Sequence, residues 1–172
     1  MRAIDALTKE HRVFLRLIDR IERALRRQET QARAEVRESL LVLLPALDRH
    51  EEIEDSVFAG EDSAPEGDGK ALLAELRREH ARVNLLRAEI AEALGGAENS
   101  WGGFGASVAE LTAKLRDHFI VEEKRLWPRY ARTAGRSRDK SAARRVLREV
   151  RRLEGEIDKN RLIVSDYLSE AR

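Results

Sequence analysis

The stretch "LDRHEEIEDSVF", residues 47–58, places His50 four positions before Glu54. On an α-helix that spacing stacks the two side chains on one face, a turn apart. It comes within one residue of H-E-x-x-H, the zinc-protease signature, but Glu54 stands where the second histidine would be. The spacing recurs in "LRDHFIVEEKRL", residues 115–126, as His118 and Glu122. One such pair alone reads as a surface ion pair. Two of them call for a comparison of their surroundings.

Around both pairs, apolar residues recur every three or four positions, the mark of amphipathic helices. Leu7, Phe14, Leu17, Ile18, Ile21 and Leu25 predict a first helix over about 5–28. Val36, Leu40, Leu43, Leu44, Leu47 and Phe58 predict a second over 31–58, kinked at Pro45, whose ring crowds the preceding turn. A third is expected over about 69–94 and a fourth over 104–131, ending near Pro128. Val146, Val150, Leu153, Ile157, Val164 and Tyr167 predict a fifth over about 139–170. The glycine-rich stretches 60–69 and 95–103, and the segment 132–139, read as loops. No segment alternates with period two, so no sheet is expected.

Sliding the first helix by 69 positions lays it over the third, with Leu7 on Leu76, Glu10 on Glu79, His11 on His80 and Ile21 on Ile90. Sliding the second by 68 lays it over the fourth, with Leu47 on Leu115, His50 on His118 and Glu54 on Glu122. Leucines coincide easily between helices. All four histidines of the chain coinciding is a stronger signal. The expected architecture is all-α: an up-down four-helix bundle of two similar hairpins over 1–131, with 132–172 as a linker and a C-terminal helix. That helix packs back on the bundle or pairs with a second chain, because its 4-3-4-3 seam, broken by Asn160, is of coiled-coil type.

Each histidine lies on or beside the apolar stripe of its helix. Burying four imidazoles and two carboxylates unpartnered would cost several kcal/mol per ionised group, and a pair of cations would satisfy all six. The candidate ligands are thus His11, His50, Glu54, His80, His118 and Glu122. A nitrogen and oxygen set suits iron, manganese, zinc or copper. The chain has no cysteine, which excludes disulfides, thiolate sites and cysteine catalysis. Ferritin-like Glu-x-x-His pairs are absent, since Thr8, Leu47, Arg77 and Leu115 stand three before the histidines. Glu10 and Glu79 are candidate acceptors for an imidazole N–H behind the ligands. Glu51, Glu52, Asp55 and Glu123 read as a solvated face, and Trp101 and Trp127 as core or loop-anchoring residues.

The 172 residues carry 33 Lys+Arg against 32 Asp+Glu, a balance that offers no general attraction to nucleic acid or anionic membrane. The amino-terminal stretch lacks the apolar core of a signal peptide, and no apolar run approaches the roughly 20 residues of a membrane span. A cytoplasmic protein is the expectation.

The order His11, His50–Glu54, His80, His118–Glu122, with "HFIVEEKRLWP" at 118–128, resembles the hemerythrin-like, or HHE cation-binding, family. The resemblance covers residues 1–131. It implies two iron ions, one held by His11 and His50 and the other by His80 and His118. Glu54 and Glu122 would bridge them, together with an oxo or hydroxo group. The oxygen carriers of the family have a fifth histidine four residues from the third-helix ligand, where this chain has Leu76 or Asn84. The resemblance therefore implies a place for an exogenous ligand on each iron and reactivity with O2, peroxide (catalase-like) or nitric oxide, rather than oxygen carriage. Two other roles fit the same ligands: a module that stores, senses or donates iron, and a metal site that only holds the bundle together.

Overall fold

In a computed structural model of the chain, the described residues are 1–27, 30–58, 68–95, 101–133 and 136–170, with side chains described for 1–27, 30–58, 71–95, 101–131 and 139–159. Among them every regular element is helical. The elements are α1 (Ala3–Leu25), α2 (Thr30–Phe58), α3 (Asp68–Gly95), α4 (Trp101–Val121), a π-helical turn (Glu122–Leu126), α5 (Trp127–Thr133) and α6 (Arg136–Glu170).

The hairpins α1–α2 and α3–α4 pack side by side, with α1 against α4 and α2 against α3. Leu7, Phe14, Ile18 and Ile21 of α1 meet Leu40, Leu43, Leu47 and Ile53 of α2, Leu76 and Ile90 of α3, and Leu111 and Leu115 of α4 in one buried core. Two arginines pin the hairpins together. Arg87 on α3 is buried and donates to Asp48, Glu51 and the Leu44 carbonyl on α2. Arg116 on α4 donates to Asp19 and Glu22 on α1, and these carboxylates raise its pKa against the opposing effect of burial. Glu51 therefore belongs to an interhelical network rather than to a solvated face.

α6 folds back across α1 and α2, burying Ala143, Val146, Val150 and Leu153. Its acids meet arginines of those helices, Glu149 with Arg49 and Glu154 with Arg16. Its first turn also caps α1, where Asp139 accepts a 2.7 Å bond from the otherwise orphaned Ala3 N–H. The seam positions Asn160, Val164 and Tyr167 lie outside the residues whose side chains are described. No helix among the described residues is long and apolar enough to cross a membrane.

The expected boundaries need correction in three places. Trp101, Gly102 and Gly103 form the first turn of α4 instead of a loop, anchored by Trp101 against Phe104 and under the Arg33 guanidinium. Residues 136–139, expected in a loop, are the start of α6. Helix four does not end near Pro128: it passes through the π turn and runs to Thr133. There the Trp127 N–H bonds the Glu122 carbonyl, five residues back. The wider turn relieves the clash that a proline ring makes with the carbonyl four residues earlier in an α-helix.

Candidate metal centre

Each hairpin brings its two histidines together, with Nε2 atoms facing. His11 of α1 and His50 of α2 approach to 3.3 Å, and His80 of α3 and His118 of α4 to 2.7 Å. The glutamates cross between hairpins. Glu54 Oε2 lies 3.7 Å from His50 Nε2 and 3.9 Å from His80 Nε2. Glu122 lies 2.7 Å from His118, 3.8 Å from His80 and 3.4 Å from His11. The donors form two groups, His11–His50–Glu54–Glu122 and His80–His118–Glu54–Glu122, and in each the donor atoms lie within 4.8 Å of one another. Both glutamates are common to both groups. All six sequence-predicted residues thus converge on one buried volume inside the bundle.

Behind the histidines stand three more carboxylates. His50 Nδ1 lies 3.0 Å from Glu10, and His118 Nδ1 lies 3.5 Å from Glu79. Glu10 and Glu79 occupy equivalent places in the two hairpins, and each serves the histidine of the following helix, not the one beside it in sequence. The third is Glu123, 3.0 Å from His11 Nδ1, which sequence reasoning placed on a solvated face. The π turn explains the miss. It lets consecutive residues reach one ring, Glu122 at His11 Nε2 and Glu123 at its Nδ1. Glu10 and Glu123 are placed to accept an Nδ1 proton from His50 and His11, and in that tautomer each Nε2 carries a lone pair.

Aromatic rings fix the orientation of His11. Phe119 stacks on it with centroids 4.0 Å apart, and Trp127 tilts against it at 4.7 Å. Trp127 therefore packs on a candidate ligand. Tyr130, not counted as a ligand, is buried edge-on against Phe58. Leu76 is buried, whereas Asn84 is exposed and donates to Glu51, so neither offers a further donor to the cluster.

These residues fit a pair of cations. In the His11–His50 pair the two Nε2 atoms face each other across 3.3 Å, and with both Nδ1 atoms protonated their lone pairs would repel unless a cation lay between them. Burial holds the His11 pKa down, against the opposing pull of Glu123 and Glu122. At His118 burial also acts downward, but Glu122 and Glu79 together outweigh it and raise the pKa. Burial and the facing Glu122 push Glu54 well up. Burial would also raise Glu122, but His118 and the neighbouring imidazoles hold it well below the usual carboxylate range. Buried oxygens Glu54 Oε1 and Glu122 Oε2 accept no hydrogen bond among the described residues, although such atoms are normally satisfied. Ligation by metal would supply each missing partner.

The family model of the hemerythrin HHE cation-binding domain matches residues 2–130, and again residues 71–169. No curated protein and no solved structure matches the chain significantly. The match across most of the chain and the two His/Glu clusters lead to one conclusion: the chain belongs to the hemerythrin HHE cation-binding family, as an all-α, metal-binding domain.

Proposed function

We propose that the chain is a non-haem di-iron protein that binds or turns over a small ligand of the O2, peroxide or nitric oxide class. His11 and His50 hold one iron, His80 and His118 the other, and Glu54 and Glu122 bridge them. Residues 1–131 form the metal-binding unit and 132–172 an added linker and helix. The observation that carries the reading is the pair of four-donor groups sharing both glutamates. A single structural cation needs only four donors and no such sharing.

When bound, iron with only two nitrogen donors per ion supplies redox chemistry at open coordination positions. The chain's own residues set the conditions. Glu10 and Glu123 hold the His50 and His11 rings in the tautomer that directs Nε2 inward. Phe14, Phe119 and Trp127 wall the His11 end with apolar rings and exclude water from it. Glu79, part-exposed and in contact with His118, is placed to pass a proton between that ring and solvent.

Metal analysis of protein expressed with ample iron, paired with absorption spectra before and after O2, peroxide and nitric oxide, tests this. Two irons per chain and a spectral response to at least one reagent are expected. Iron bound without any response would leave a storage or donation module, and zinc or no metal in every preparation would overturn the redox reading.

A further inference from the structure

The duplicated plan should make the two ends of the centre alike, and the structure shows that they are not. The His11 and His50 side chains are 0 % and 2 % exposed, whereas His80 is 16 % and His118 5 % exposed. α6 lies across α1 and α2. The outward faces of α3 and α4 instead carry Leu85 and Ile120, both well exposed.

Position 123 sharpens the contrast. Its counterpart in the first hairpin, 68 residues earlier, is Asp55, one methylene shorter and on a plain α-helix. Asp55 is exposed and faces Arg77 at 3.7 Å. Among the described residues no side chain pairs with His80 Nδ1, the atom equivalent to the one Glu123 covers on His11. Glu79–His118, at 3.5 Å, is also the longest of the three carboxylate–imidazole contacts.

On this looser side a cavity of about 190 Å³ opens between α3 and α4. His118 and Glu79 are in its wall, Val83 and Val121 supply apolar lining, and Arg82, Lys114 and Asp117 supply charged lining of both signs. At about 30 Å³ per water it holds about six waters, well short of the ~300 Å³ and more of pockets for organic ligands.

We infer that the α3–α4 cleft is the entry route to the centre, for the metal ions and for inorganic ligands of a few atoms. They reach the His80–His118 side first, past the Glu79–His118 contact. The ligand part rests on the di-iron reading above; the route does not. A residue that only narrows a route slows entry and exit by the same factor and leaves the equilibrium constant alone. A residue that holds the metal changes the equilibrium constant.

The test is stopped-flow uptake and release of Co2+ by the full-length, metal-free protein. Lys114→Trp and Arg82→Trp, both on the cleft and outside the ligand set, should each slow both directions about tenfold, which is about 1.4 kcal/mol on the barrier, with Kd unchanged. Leu41→Trp, on the exposed face of α2 beside α6, should change neither rate. Unaltered rates in both cleft variants, or equal slowing by Leu41→Trp, would overturn the route. If wild-type protein took up no Co2+, the metal reading would fail by itself. The route would still be read from acylation of the metal-free protein by diethylpyrocarbonate at mildly alkaline pH, followed residue by residue by mass spectrometry. His80 and His118 should react before His11 and His50, and the reverse order would refute it.

Discussion

Glu123 shows what a single side chain adds to the centre. Its 3.0 Å contact orients His11 and makes the ring a better donor. Glu123→Ala should therefore weaken metal binding at the His11–His50 position about 10–100-fold, the usual effect of losing such a partner. Glu123→Gln, which still offers an acceptor, should recover part of the loss. Competition titration with a chromophoric chelator measures both, and equal affinities for wild type and alanine variant would remove the role. Position 123 could not be assigned from periodicity. Glu122 and Glu123 would point about 100° apart on an α-helix, so only one of them was expected to reach the centre. Glu10 and Glu79 were legible because each recurs at the offset that aligns the histidines, although their partners proved to be on the next helix.

Among the elements, α6 is the one whose placement the seam left undecided. Val146, Val150 and Leu153 are buried on α1 and α2, each worth roughly 1.5–3 kcal/mol relative to exposure. Leu153→Ala should lower the unfolding free energy by about 2–4 kcal/mol in urea titrations. It should leave the metal-to-protein ratio intact, since no candidate ligand lies on α6. A loss under 1 kcal/mol, about the cost of a surface change, would mean that α6 is not held there in solution. The continuation of the fourth helix past Pro128 illustrates the limit of local rules. Proline is read as a stop because of its ring, and the π turn before it removes the reason.

For the whole molecule, the centre is a local cost that metal converts into stability. Two pairs of facing imidazoles and two neighbouring carboxylates lie between four helices, where burial penalises ionisation. A cation that binds only the folded chain stabilises it by about 4 kcal/mol when present at about a thousand times Kd. Thermal unfolding followed by circular dichroism, with and without chelator, should show a clearly higher Tm for the metal-loaded form. An unchanged Tm would mean that the six groups satisfy one another without metal. The arginine clamps, Arg87 to Asp48 and Glu51 and Arg116 to Asp19 and Glu22, favour pairing one hairpin with the other. Their charges are opposite at the aligned positions 48 and 116, so each hairpin complements its neighbour better than a copy of itself.

By itself the sequence determined the helical class, the doubled hairpin and the six residues that converge. Helical periodicity and an offset shared by four histidines are properties of the chain that survive any packing. Only the tertiary structure decided that α6 packs across α1 and α2 and that Glu123 reaches His11. It also decided that the His80–His118 end faces a cleft. Those outcomes depend on which surfaces meet across the bundle and on one widened helical turn, and neither is encoded in the spacing of residues along a single helix.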